Sequence, residues 1–251
     1  QKKYRILLSA TSIALIVVSA AGLTFGMLRY TKADKGLKHA DSVIAEYTYT
    51  VPISSDEVQY SVDTENLVDI AGLQRVNPDV AAYLQIPDTA VSYPVMHSDE
   101  PGYYLTRDFD GTRSVYGSIY VDAACYENGP VTLLHGHNMK NGSMFGSLKQ
   151  YKNDGFYEKN AYFTVFTEDA AYRYQIFAYS DVPEDSDVYT TGYLPDETFD
   201  GFLTELLKSS YKDTGVTVGK DDKVLTLSTC SGDGLRFVVH AVRVDEHESG
   251  V

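Results

Sequence analysis

The 23 residues from Ile6 to Leu28 carry no charge and no proline. As a helix rising about 1.5 Å per residue they span about 34 Å, enough for a hydrocarbon core roughly 30 Å thick. No polar face interrupts the run, which argues against a half-buried soluble helix. A secretory signal peptide, with Ser19-Ala20-Ala21 as a small-residue cleavage site, is the competing reading, but its apolar core is usually only about 7–15 residues. The expectation is a single-pass anchor over 6–28 behind a short cytoplasmic tail over 1–5. Everything after it is expected to be extracytoplasmic, because Lys2, Lys3 and Arg5 outnumber Arg29 and Lys32 across the span.

Charge divides along the same line. Residues 1–32 hold five basic and no acidic side chains, leaving 16 basic and 35 acidic residues in the rest, a net of −19. No basic stripe follows the anchor, so a phosphate-tracking nucleic-acid groove is disfavoured. The 21 Tyr and 10 Phe supply the aromatic surface of a folded domain. Two cysteines, Cys125 and Cys230, are too few for a disulfide framework, although they allow one bridge.

Residues 29–63 read as a helix or polar stalk (31–47, with Leu37, Val43, Ile44 and Tyr47 at helical spacing) followed by a linker, and 64–251 as the main domain. Thr64 stands as a cap before a short helical start through Ile70. Short strands then dominate: Ser118–Asp122, Val131–Leu134, a hairpin over Ala161–Phe166 and Ala171–Tyr179, Val224–Ser228 and Arg236–Val244. Asn138–Tyr151 is Gly-punctuated and then helical. Asp196–Tyr211 is the clearest soluble helix, its stripe Phe199, Phe202, Leu203, Leu206 and Leu207. The fold class is mainly β with short helices, closed or nearly closed into a barrel that leaves few free edges.

Three segments carry chemistry. Cys230 follows the apolar strand Leu225-Thr226-Leu227-Ser228-Thr229, His135 and His137 follow another strand, and Arg236 opens the next. A thiol that attacks an amide needs a thiolate, a proton for the departing amine and donors for the oxyanion. An imidazole titrating near 6.5 and a permanently charged guanidinium suit the last two tasks. His135 and His137, with Cys230, could instead ligate a metal, yet a zinc site takes three or four ligands and no fourth is evident. No cofactor or metal is expected. A water-using peptidase and a non-enzymatic adhesion or scaffold module with Cys125 bridged to Cys230 are the alternatives.

Thr226-Leu-Ser-Thr-Cys230 with Arg236-Phe-Val-Val-His240 resembles the active-site end of the class B sortases. Val76-Asn-Pro-Asp79, Leu84-Gln-Ile-Pro87, Tyr93-Pro-Val95, Tyr104-Leu105, Asp108-Phe109, Gly117–Asp122 and Gly136–Phe145 continue the likeness in order, over about 70–244. The resemblance implies an eight-stranded sortase-type β-barrel with N-terminal helices and a helix before the cysteine strand. It implies Cys230 as nucleophile, His137 as catalytic histidine and Arg236 as catalytic arginine. Thr229, His135 and Asn138 become candidates for substrate binding, with His135 at a position where class B members often carry an aromatic. The implied reaction is transpeptidation. A C-terminal sorting motif of a secreted protein would be cleaved through a Cys230 thioester and passed to a peptidoglycan stem-peptide amine or a pilin lysine. One departure stands out: the loop Ser231–Leu235 is shorter than is usual for the class.

Overall fold

The computed structural model describes residues 2–50, 66–125 and 129–248, with the side chains of 2–17, 33, 39, 40, 49, 50, 66, 67, 247 and 248 outside the description. Its first element is one helix, α1 (Lys2–Glu46), so the expected 28/29 boundary falls inside a continuous helix. Among the described residues no helix is long and apolar enough to cross a membrane. The expected span lies partly outside the description, at side chains 6–17. Within its remainder, Val18, Leu23, Phe25, Met27 and Leu28 are exposed.

Two short strands, β1 (Thr48–Thr50) and β2 (Asn66–Val68), pair antiparallel, followed by α2 (Ile70–Val76). Thr64 and Glu65 of the expected helical start lie outside the described residues, and the remainder, from Asn66 to Ile70, is corrected here. Asn66–Val68 is claimed by strand pairing, and the helix begins at Ile70, where Asp69 accepts from the Gly72 N–H at 2.6 Å. The Asn138–Tyr151 helix narrows to a 3₁₀ segment over Phe145–Lys152, with Phe145, Leu148 and Tyr151 buried as the spacing predicts.

Eight further strands close into a barrel. They are β3 (Val80–Gln85), β4 (Ser92–Met96), β5 (Ile119–Val121), β6 (Val131–His135), β7 (Tyr162–Phe166), β8 (Ala170–Pro183), β9 (Val224–Gly232) and β10 (Leu235–Glu248). Their order is β10-β8-β7-β3-β4-β5-β6-β9, and β9 returns to β10. The β4–β5 and β6–β9 pairs are parallel and the other barrel pairs antiparallel. The short helix α3 (Phe156–Lys159) precedes β7.

Strand β9 is buried on both faces. Leu225 and Leu227 point into the barrel core with Leu134, Ile119 and Val239. Val224 joins the outer cluster formed beneath α4 (Glu197–Ser209), whose Phe199, Phe202, Leu203 and Leu206 cover Phe177, Val238 and Val242. At about 1.5–3 kcal/mol for each fully buried side chain, α4 is held mainly by this stripe. Leu207, expected in the stripe, is 37% exposed at its margin. Asp196 caps α4 by accepting from Thr198 and Phe199. The double cover ends at Thr229, and Cys230 is the first exposed residue of β9. A side chain there is reachable while its backbone is clamped.

Candidate active site

Cys230 lies between two neighbouring strands, each of which brings one of the other candidate residues. On the β10 side, Arg236 is the direct register partner of Cys230 in the antiparallel ladder. Opposed residues in such a ladder have Cα atoms about 4.5–5.5 Å apart and side chains on one face. The short loop is what produces this pairing. Asp233 and Gly234 form a two-residue turn with φ of 51° and 76°, and two-residue hairpin turns with both centres at positive φ match the twist of the strands they join. Leu235 pairs with Gly232 but Arg236 pairs with Cys230, so Ser231 is bulged out and the register advances by one residue. Lys152 holds the bulge: its Nζ donates to Ser231 Oγ at 3.2 Å and to Asp181 Oδ2 at 2.6 Å. The guanidinium of Arg236 meets Glu184 at 2.6 Å, just past the end of β8.

On the β6 side the histidine segment is stitched to the cysteine strand. His135 is in register with Ser228 across the parallel pair, Gly136 N–H donates to the Ser228 carbonyl at 3.2 Å, and Thr229 Oγ1 donates to the Gly136 carbonyl at 2.7 Å. Asn138 Nδ2 then donates to the carbonyl of Cys230 itself at 2.7 Å. His137 lies between these two ties, the His135–Ser228 register pair and the Asn138 bond to Cys230. Position 136 requires glycine, since a Cβ would lie 2.5 Å from Ile119 Cδ1 and 2.8 Å from Phe145 Cδ2. The Nε2 of His137 donates to the Leu105 carbonyl at 2.8 Å. A carbonyl only accepts, so Nε2 carries the proton in this contact.

The other candidates have structural partners. Thr229 is buried and bonded to Gly136, and Asn138 is spent on the Cys230 carbonyl, so both tie the β6 end to β9. His135 Nε2 donates to Asp122 Oδ2 at 2.7 Å, which holds the Asp122 carboxyl below its usual range. Its ring lies 5.4 Å from Tyr120 and stacks on Tyr189 at 6.2 Å. Tyr189 also bonds Ser228 Oγ at 3.0 Å. Burial raises both phenols, and the neighbouring Cys230 adds to the rise in each. Tyr120, His135 and Tyr189 therefore form an aromatic strip leading to the sulfur. Sequence reasoning missed Tyr120, Tyr189, Asp122, Lys152 and Glu184. For Tyr120 the signal was its place in a strand neighbouring that of the histidines.

Cys125 and Cys230 are both free. Cys125 Sγ accepts from the Leu133 N–H at 3.2 Å and burial pushes its thiol up, the reverse of what a nucleophile needs. The expected option of a Cys125–Cys230 bridge is thereby corrected: both thiols are free.

A sortase-domain family model matches residues 84–244. The chain belongs to the sortase family. Sortase B of Listeria monocytogenes is 29% identical over 229 residues, covering 88% of each chain. The crystal structure of sortase B from Bacillus anthracis in complex with AAEK1 aligns with a TM-score of 0.72 at 26% identity, over 87% of this chain and 99% of that one. The Staphylococcus aureus sortase B–substrate complex aligns with a TM-score of 0.66 at 26% identity, over 70% of this chain and 84% of that one. This sortase is of class B, its eight-stranded closed barrel matches the sortase B structures, and its enzyme class is cysteine transpeptidase. Sortase-family proteins are associated with the cell envelope.

Proposed function

We propose that this sortase cleaves a sorting motif of a secreted protein and transfers its acyl part to an amine of the cell envelope, with Cys230, His137 and Arg236 performing the chemistry. The observation that carries the reading is the flanking of one exposed thiol by two tied neighbours: Arg236 is its ladder partner and the His137 segment is bonded to its own carbonyl. A relative described as a sortase B–substrate complex supports a peptide substrate.

In the first step the Cys230 sulfur attacks the carbonyl carbon of the motif's threonine. The C–S bond forms, the C–N bond breaks, and His137 gives a proton to the departing amine. Arg236 aims fixed donors at the developing oxyanion, in the role that preorganised donors fill in acyl transfer. In the second step an acceptor amine attacks the thioester, its proton passes to His137, and Cys230 leaves as thiolate. The acceptor is a peptidoglycan stem-peptide amine or, in a polymerising role, a pilin lysine. The apolar run 6–28 at the start of α1 anchors the enzyme in the cell membrane with the catalytic domain outside, and the exposed Val18, Leu23, Phe25, Met27 and Leu28 fit that placement. The tail 1–5 is cytoplasmic, 29–63 is the connecting segment and 64–251 the catalytic domain.

The test is product analysis of the full chain against a panel of sorting-motif peptides, with and without triglycine as amine. An amine-linked product that Cys230→Ala abolishes is expected. Hydrolysis alone would make the protein a cysteine peptidase, and full activity in Cys230→Ala would sink the reading.

A further inference from the structure

The protein carries a formal charge of −14, yet the cleft walled by His137 is lined by cations of one sign. It has a volume of about 510 Å³ and lies between α1, which contributes Arg29 and Lys32, and the segment 105–115, which contributes Arg113. Arg29 and Lys32 stand three apart on a helix and so share a face. All three cations are exposed, and none forms an ion pair among the described residues. The contrast with the polar cleft beside Tyr211 is direct. There Lys152 pairs with Asp181 at 2.6 Å and Lys212 with Glu158 at 2.7 Å, so its positive charge is already answered.

The cleft is held by packing close to its cations. Tyr116 donates to Asp34, Leu37 packs on the barrel core and Ile44 is buried, which seats α1 over the 105–115 segment. Asp34, the nearest acid along the helix, is turned to that phenol and is not among the cleft's lining residues. His137 forms the end of the cleft, its Nε2 on the Leu105 carbonyl of the same wall. Unanswered positive charge therefore sits against the imidazole that exchanges the proton.

We propose that this cleft binds an oxyanion carried by the incoming acceptor, a carboxylate placed a few atoms from the attacking amine. The inference rests on the reading in which His137 takes the acceptor's proton, and it names the acceptor class: compounds with an amine and a carboxylate on one short scaffold. An acceptor seated by its carboxylate presents its amine at the His137 end. The nitrogen attacks the thioester carbonyl, the C–N bond forms as the C–S bond breaks, the sulfur leaves as thiolate, and the ammonium proton passes to neutral His137. Local cationic charge of this kind favours anionic ligands over a protein whose overall field repels them.

The experiment compares triglycine with triglycinamide as acceptors, using the full chain in neutral detergent and whichever panel peptide forms the Cys230 adduct. Triglycine is expected to show a KM about tenfold lower, a preference that 0.5 M NaCl weakens. The substitution Arg113→Gln, and R29Q/K32Q/R113Q together, should bring the two acceptors within about twofold, whereas Arg113→Lys should keep the preference. Should the triple variant fail to fold, the salt series on the unaltered chain and the single Arg113 variants carry the test. Equal KM values for the two acceptors, or a preference that survives the triple substitution and salt, would overturn the proposal. Loss of the preference on adding phosphatidylglycerol, but not phosphatidylcholine, would also overturn it by assigning the cleft to a lipid headgroup. Failure to form any Cys230 adduct would instead remove the transpeptidase reading, so the two failures are separable.

Discussion

The two flanks of Cys230 are built in opposite ways. The β10 flank is local: Arg236 is set opposite Cys230 by a two-residue turn and one bulge in a single hairpin. The β6 flank is long-range: His137 arrives from a strand about ninety residues earlier, along a parallel pair, and is held by hydrogen bonds from Gly136, Thr229 and Asn138. A hairpin sets register by turn geometry, which a few residues specify. A parallel pair sets it only when the whole barrel closes. The local flank therefore withstands loosening elsewhere, while the long-range flank depends on its stitches.

The largest expected effects come from removing the flanking groups themselves. His137→Ala is expected to lower kcat/KM by about 10²–10⁴-fold and Arg236→Ala by about 10²–10³-fold. Steady-state kinetics on a sorting peptide check both. Near-normal rates in either variant would show that its flank does not take part.

Asn138→Ala cuts the stitch to the Cys230 carbonyl. It should lower kcat by about tenfold with little change in donor KM, and cost on the order of 1 kcal/mol in urea unfolding. A pure stability loss with unchanged kcat would mean that the stitch holds the barrel and not the reacting groups.

On the local flank, Asp233→Val places a β-branched residue at φ 51°. The strained turn is expected to cost roughly 1–2 kcal/mol, with a smaller loss of kcat than Asn138→Ala causes. A larger loss of kcat than in Asn138→Ala would reverse the ranking of the two flanks.

The last expected effect bears on stability and not on turnover, a pH dependence on β10. His240 is 1% exposed, its Nδ1 meets Thr226 Oγ1 at 2.9 Å, its Nε2 has no partner among the described residues, and burial lowers its pKa to about 3. The folded protein holds this imidazole neutral, while the unfolded chain binds a proton below about 6.5. Its contribution to stability is thus complete above pH 6.5 and is lost progressively as pH falls towards 3. The urea midpoint of the unaltered protein should drop relative to that of His240→Leu between pH 6.5 and 4. A constant difference would contradict the assignment.

What the sequence shows and what it hides follows the same division. α4 was legible because its apolar stripe and Asp196 cap are local signals, and β9 because a buried strand reads as an apolar run. The barrel was legible as a class, and its strand order came with closure. The helical start expected over Asn66–Val68 failed because these residues pair with β1, a tertiary preference that overrides local propensity. The candidates His137, Cys230 and Arg236 were visible through ordered motifs. The duties of Asn138 and Thr229 were not, because a donor's target across some ninety residues has no sequence signature. Glu184 and Lys152 were invisible for the same reason: each lies far along the chain from the residue it holds.

Trapping the acyl intermediate tests the central claim most directly. Brief incubation of the full chain with a sorting peptide and no added amine, acid quench, and intact mass followed by peptide mapping would locate the adduct. The account predicts a single acyl group on the Cys230 sulfur, absent when His137 is replaced by alanine. An adduct on Cys125, or turnover with no covalent species under single-turnover conditions, would contradict it.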